Sequence, residues 1–227
     1  MAKKHDTLVF SPAWNEEENL AAVLHELRTE LPDADVLVVD DGSTDRTPHI
    51  AREQGAEVLS FGENRGLRAA IAAGYGYAAE HGYEYCGRVD ADGQHPVEEL
   101  RKLIDVVRAG KSDVAVGSRY ATAGGNGFSR ERYKTSPARR LGTGLLRRSM
   151  EVVLDRPFHD ATSGMYAVNA KAMPILAQPY TSGAPEVEAV LRLHDEGLRV
   201  DEHPVEMRER ASGESKLKTH CAVVPPA

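Results

Sequence analysis

Cysteine is scarce in this chain of 227 residues. There are two, Cys86 and Cys221, and they form neither a metal-binding spacing nor a disulfide framework. That usage fits a reducing cytoplasm. Long hydrophobic runs are missing. Nothing approaches the roughly 18 consecutive apolar residues of a membrane-spanning helix, and the opening MAKKHDTLVF has no apolar signal region. The expectation is a soluble chain, or at most one peripheral to the inner face of a membrane. An excess of positive charge is missing as well: the net charge is −7, which argues against a general nucleic-acid binder. Two nucleotide-binding motifs are absent. There is no GxxxxGK[ST] phosphate loop, and no GxGxxG directly follows the first apolar run. The GTG at 142–144 is only a fragment inside an expected helix. These absences set aside the usual dinucleotide oxidoreductases. No internal repeat and no low-complexity linker divides the chain.

What is present is ordinary globular composition, 41% apolar and 28% charged, in a length that suits one α/β domain with a large core. The charge is uneven. Residues 129–148 (SRERYKTSPARRLGTGLLRR) are strongly basic with a single glutamate. A basic segment on an acidic protein suggests a local anionic partner, with a solvated helix face as the other reading.

Strand and helix patterns alternate through the first half. Apolar runs at 7–10, 35–43, 57–61, 85–89 and 113–118 read as strands. Between them, Leu20, Val23, Leu24, Leu27 and Leu31 fall at helical spacing, as do Leu67, Ala70, Ile71, Gly74 and Ala78. Val97, Leu100, Leu103, Ile104 and Val107 line a further helix with Pro96 in its first turn, and a short helix is expected near 45–54. Glu16, Glu17 and Glu18 would suit the first turn of the first helix. Such alternation implies a mostly parallel sheet with right-handed crossovers. The second half departs from it. A helix is expected over about 137–154, then a strand at MYAV, a helix near 185–195 and a strand within 198–207, packed on the same sheet as an extension.

Polar clusters follow three of the apolar runs: PAWNEEEN, DDGSTD and DADGQH. Each alone is compatible with a solvated turn. Together they fall where an open parallel sheet binds ligands, outside the carboxyl ends of its strands. In DADGQH two like charges, Asp90 and Asp92, flank one alanine. Side by side they repel, which is tolerable if a cation sits between them. Mg²⁺ takes one or two carboxylates together with substrate phosphates, and Gln94 could add a carbonyl oxygen. The other reading is a turn that caps the next helix.

At this point the motifs resemble a family. PAWNEEENL, VVDDGSTDRT, NRGLRAAIAAGYGYA, DADGQH, VGSRY, DATSGMYAVNAKAM and MRERASGESK occur in the order found in family 2 glycosyltransferases of the GT-A fold. The similarity is greatest to the polyprenol-phosphate (dolichol-phosphate) mannosyltransferase-like branch, and it covers nearly the whole chain. The resemblance implies a single domain built on one Rossmann-like, mostly parallel sheet flanked by helices. A nucleotide-sugar-binding half would span 1–120, and an acceptor-side extension 121–227. It implies inverting transfer from a GDP- or UDP-sugar. Pro12, Asn15, Glu16 and Asp40 would hold base and ribose, and Asp41 would shape that pocket. Asp90, Asp92 and Gln94 would bind Mg²⁺ or Mn²⁺ with the diphosphate. Arg119, Arg210 and Lys216 would face phosphates, which guanidinium groups pair with well. The resembled segment reads D-x-T-S-G-F-R, whereas Met165-Tyr166 stand here at its last two places.

Two acceptor classes follow. A polyprenyl phosphate is already anionic and needs little general base; the basic segment, with Arg139 and Arg140 near the phosphate, would receive it at the membrane surface. A hydroxyl acceptor needs a base, for which Asp160 comes first and Glu186 or Glu188 second, with His95 and His159 behind them. Glu186 and Glu188 also suit the start of a helix. A sugar-nucleotide pyrophosphorylase would need a Gly-rich loop after the first strand, which PAWNEEEN is not. A non-catalytic binding module would have little use for DxDxQ.

Overall fold

Seven residues in a row, TLVFSPA, are all buried as strand β1 (Thr7–Ala13). A strand buried on both faces must lie inside a sheet covered on both sides. The computed structural model describes residues 3–121, 148, 150–151, 153–154, 157–160 and 162–208. After β1 come α1 (Leu20–Glu30), β2 (Ala34–Asp40), α2 (Thr47–Glu53), β3 (Glu57–Ser60), α3 (Leu67–Glu80), β4 (Tyr85–Arg88), α4 (Val97–Arg108) and β5 (Val114–Ser118). Then follow β6 (Tyr166–Asn169), α5 (Met173–Leu176), α6 (Pro185–Asp195) and β7 (Val200–Pro204).

The strands form one sheet in the order β3-β2-β1-β4-β6-β5-β7. β1 pairs in parallel with β2 and β4, β2 with β3, and β5 with β7. β6 runs antiparallel to both β4 and β5. The expected mostly parallel sheet is therefore present. β6, from the second half of the chain, is threaded between β4 and β5 of the first.

Alternate residues of each strand feed two cores. Leu8, Phe10, Leu37 and Val39 share a cluster with Ile71 and Tyr75 of α3, Met173 and Leu176 of α5, and Val190 and Leu193 of α6. Val9, Ala13 and Val38 share the other with Leu20, Leu24 and Leu27 of α1, Ala51 of α2, and Leu100, Leu103 and Val107 of α4. α4 shows why the sequence folds this way. Its buried residues recur at helical spacing, Glu98 and Glu99 sit in the first turn, and Arg108 in the last, matching the helix dipole. α3 lies unusually close to the sheet: a methyl group added to Gly74 would come within 2.3 Å of the Phe10 ring.

Three details differ from the sequence reading. Glu16, Glu17 and Glu18 lie outside α1, whose first turn has no acid; their loop is tied to the one after β2 instead. Pro96 stands just before α4 rather than in its first turn, with φ −62° and ψ 127°. The short α5 has too few residues to show a helical period and was not expected. The helix expected over 137–154 falls mostly outside the described residues, although Met150 and Leu154 are helical and buried.

Candidate active site

The parallel strands bring the loops after β1, β2, β4 and β5 to one edge of the sheet. β6 is antiparallel, so Asp160 and residues 162–165, which lead into it, arrive at that same edge. β1 lies between β2 and β4, so the strand order reverses there. Such a reversal opens a crevice between neighbouring loops, here those of PAWNEEEN and DADGQH.

The loops after β1 and β2 are laced together. Asn15 N–H donates to Ser43 Oγ (2.9 Å), and Asn15 Oδ1 accepts from Thr44 N–H (2.8 Å). Glu16 N–H donates to Thr47 Oγ1 (2.8 Å) and Glu17 N–H to Asp45 Oδ2 (3.2 Å). Asn15 takes a left-handed φ of 53°, which asparagine tolerates better than most residues. The buried Asp40 accepts from Ser43 N–H and Ser60 Oγ. Asp41 accepts from Arg65 N–H and Gly66 N–H, fixing the turn before α3. Burial raises the pKa of Asp41 and Asp40 adds to the rise, while those two N–H groups oppose it. Gly42, at φ 67°, admits the 63–64 backbone; a methyl group there would stand 2.3 Å from the Glu63 carbonyl carbon. Pro12 is buried and Trp14 is 40% exposed at the mouth of this region.

The DADGQH loop is built as a closed turn. Asp92 Oδ1 accepts from Gln94 N–H (3.1 Å). His95 Nδ1 lies 3.0 Å from Asp90 N–H, a group that can only donate, so Nδ1 is unprotonated. Burial holds the His95 pKa below its ordinary value, against the pull of Asp90 and Asp92. His95 is thus a structural partner of the loop. Gly164 roofs it, since a methyl group there would lie 2.8 Å from Asp90 Oδ2 and 3.1 Å from His95 Cε1. Among the described residues no group of three or more His, Cys, Asp or Glu side chains could hold a metal. Two carboxylates on one turn suit a hard cation whose other ligands are substrate phosphates and water.

Arg119 and Asp160, expected as phosphate ligand and base, are joined to each other. Asp160 is 1% exposed. Its Oδ2 accepts from Arg119 Nε (2.8 Å) and its Oδ1 from Arg119 Nη2 (2.7 Å), a bidentate pair that holds the guanidinium plane. Before taking a proton from an acceptor, Asp160 would have to give up that pair. Glu202 of β7 supports the arrangement by accepting from Asp160 N–H and His159 N–H. At the start of α6 the two glutamates part company. Glu186 Oε1 lies 3.2 Å from Arg88 Nη2, beside Asp90. Glu188 turns to its own loop, taking N–H groups of Thr181 and Ser182 and pairing with Arg192.

Arg88 and Glu202 were not singled out in the sequence. The signal for Arg88 was a charge closing a short apolar strand two residues before Asp90. For Glu202 it was an acid inside the run LRVDEHPVEM. After β7 the chain returns to the site, where Arg208 N–H donates to Gln94 O (2.9 Å) and the Arg208 guanidinium pairs with Glu26. Arg139, Arg140, Arg210 and Lys216 lie outside the described residues.

The chain is similar to a polyprenol monophosphomannose synthase of Mycolicibacterium smegmatis. The two are 32% identical over 221 residues, covering 93% of this chain and 80% of that protein. An undecaprenyl-phosphate mannosyltransferase of Micrococcus luteus is 33% identical over 218 residues, covering 92% and 86%. Among solved structures, glucosyl-3-phosphoglycerate synthase from Mycobacterium tuberculosis, with Mn²⁺, UDP-glucose and phosphoglyceric acid, superposes with a TM-score of 0.68. The match covers 92% of this chain and 72% of that one at 20% identity, a likeness of fold alone. The model of "Glycosyl transferase family 2" matches residues 8–172. With its sheet, its crevice and these relatives, the chain belongs to glycosyl transferase family 2 and has the GT-A fold.

Proposed function

We propose that this glycosyltransferase moves a hexose from a nucleoside-diphosphate sugar to a polyprenyl phosphate, with a divalent cation held by Asp90 and Asp92 and Gln94 beside it. The observation that carries the reading is similarity over more than nine-tenths of the chain to two proteins named for polyprenyl-phosphate mannosyl transfer. The donor's base and ribose would lie beside the laced loops at the edge of the crevice, against Pro12, Asn15, Glu16 and Asp40, with Asp41 keeping the neighbouring turn in place. The metal would offset the charge of the nucleoside diphosphate as it leaves. Arg119, held flat by Asp160, would face a phosphate from the other side of the crevice, and Arg210 and Lys216 would complete that lining. In this reading Asp160 orients Arg119 and is not needed as a base, because the attacking phosphate oxygen is already ionised. Arg139 and Arg140 would receive the acceptor at an anionic membrane surface. Among the described residues no helix is long and apolar enough to cross a membrane, so peripheral contact is the attachment proposed.

The test is transfer of labelled hexose from UDP- and GDP-sugars to a polyprenyl phosphate in detergent, with and without chelator, beside soluble hydroxyl acceptors. Metal-dependent label in the lipid extract supports the reading. Label only on a hydroxyl acceptor would replace it with base-assisted transfer, for which Glu186 stands nearest the metal loop and Glu188 is engaged elsewhere.

A further inference from the structure

Arg88 is a charged side chain that the reading above leaves without a task. It closes β4 and is 3% exposed, among the most buried polar side chains described. One nitrogen, Nη2, lies 3.4 Å from Asp90 Oδ1 and 3.2 Å from Glu186 Oε1. Its Nε is buried and has no hydrogen-bond partner among the described residues. Burying a guanidinium is costly unless carboxylates compensate it, and an unpartnered N–H adds to that cost. Burial alone would favour the neutral form, but Asp90 and Glu186 reverse this and keep the group charged.

The geometry of the two strands and the helix around it is equally specific. In the antiparallel β4–β6 ladder Arg88 stands directly opposite Tyr166. Tyr166 occupies the place where the resembled D-x-T-S-G-F-R segment carries arginine. A guanidinium is thus supplied from the neighbouring strand, on the same face of the sheet. The Tyr166 hydroxyl in turn reaches the Glu186 backbone oxygen (3.5 Å). A methyl group on Gly164 would approach Arg88 Nη2 to 3.3 Å, so the backbone leading into β6 closes over the cluster.

We propose that Arg88 is a positioning residue. It bridges Asp90 on the metal loop to Glu186 at the start of α6, and it sets the local charge that a divalent cation meets. Asp90, Asp92 and Glu186 contribute three negative charges and Arg88 one positive, which leaves two for the cation to neutralise. This deepens the proposed function and rests on its metal assignment, but not on the identity of the acceptor.

The experiment is a Mn²⁺ titration followed by electron paramagnetic resonance on the full chain, without donor or acceptor. Arg88→Met raises the local negative charge, so Mn²⁺ affinity should tighten by about tenfold, while Glu186→Gln should loosen it by about tenfold. In transfer assays Arg88→Met should lower kcat about a hundredfold with donor KM little changed, because Asp90 and Glu186 lose their common tie. Arg88→Lys keeps the charge but not the guanidinium's reach and shape. It should bind Mn²⁺ within about threefold of wild type and restore part of kcat, and it carries the test if Arg88→Met does not fold. Opposite shifts for the first two variants bear the proposal out. Shifts in the same direction, or none, overturn it, as does wild-type protein that binds no Mn²⁺. Absence of lipid-linked product with the Mn²⁺ shifts intact would overturn the acceptor assignment alone.

Discussion

Asp90 and Asp92, one residue apart at the end of β4, do different things in the fold. Asp92 spends one oxygen on the Gln94 N–H, closing its own turn. Asp90 is held on one side by Arg88 and roofed on the other by Gly164. An Asp92→Asn substitution isolates charge from shape, since its amide oxygen can still accept from Gln94. Transfer should fall by about a hundredfold or more, while Tm moves by no more than about 3 °C. Near-normal transfer by this variant under chelator would remove the metal from the reaction. The carboxylates were legible in the sequence because DxDxQ closes an apolar run and falls in line with two other polar clusters after strands. Arg88 was not. A lone arginine at a strand end reads as solvated until the strand on its other side, β6, is known to bury it. Asp160 shows the same limit: its segment pointed to a site, but its bidentate pairing with Arg119 joins residues 41 positions apart.

Single elements are fixed by contacts of this kind and can be tested one at a time. α3 sits against β1 because Gly74 presents no side chain to the Phe10 ring. Gly74→Ala should cost about 2–3 kcal/mol through overpacking, seen as a lower urea midpoint with an unchanged m-value. α6 is held through Glu188, which takes backbone N–H groups from the 181–182 turn. Burial would raise its pKa, but those bonds and Arg192 bring it down from an ordinary 4.5 to about 2. A folded-state pKa below the unfolded one gives stability that is complete above about pH 4.5. That stability is lost as pH falls toward about 2. Glu188→Gln should therefore cost about 1–3 kcal/mol at pH 7. The gap between variant and wild type should shrink steadily in unfolding curves taken from pH 5 to pH 2. A gap that does not narrow with acid would show that the glutamate acts through packing rather than charge.

The molecule as a whole is acidic, with a net charge of −7, and its basic residues concentrate at 129–148. Each Lys or Arg near an anionic membrane contributes about 1 kcal/mol. Binding to vesicles containing anionic lipid should therefore be weak and fall steeply between 50 and 300 mM salt, on the order of a Debye-screened contact. Arg139→Ala with Arg140→Ala should reduce both vesicle binding and lipid-linked product more than donor hydrolysis. Salt-insensitive binding would point to apolar insertion instead.

The first half of the fold could be read from the chain because its information is local. Apolar runs buried on both faces, helical spacing and polar clusters after strands each lie within a dozen residues. A βαβ chain has few ways to pack such units. The ordered motifs carried the family, and DxD carried the expected metal loop. Only the tertiary structure decided that β6 turns antiparallel and enters between β4 and β5. It likewise decided that Asp160 pairs with Arg119, that Glu186 reaches Arg88 beside the DADGQH loop while Glu188 holds the 181–182 turn, and that Arg88 stands across from Tyr166. Each of these depends on hydrogen bonds and charges meeting across strands far apart in sequence. Their energies are set by burial and distance, neither of which the order of residues contains.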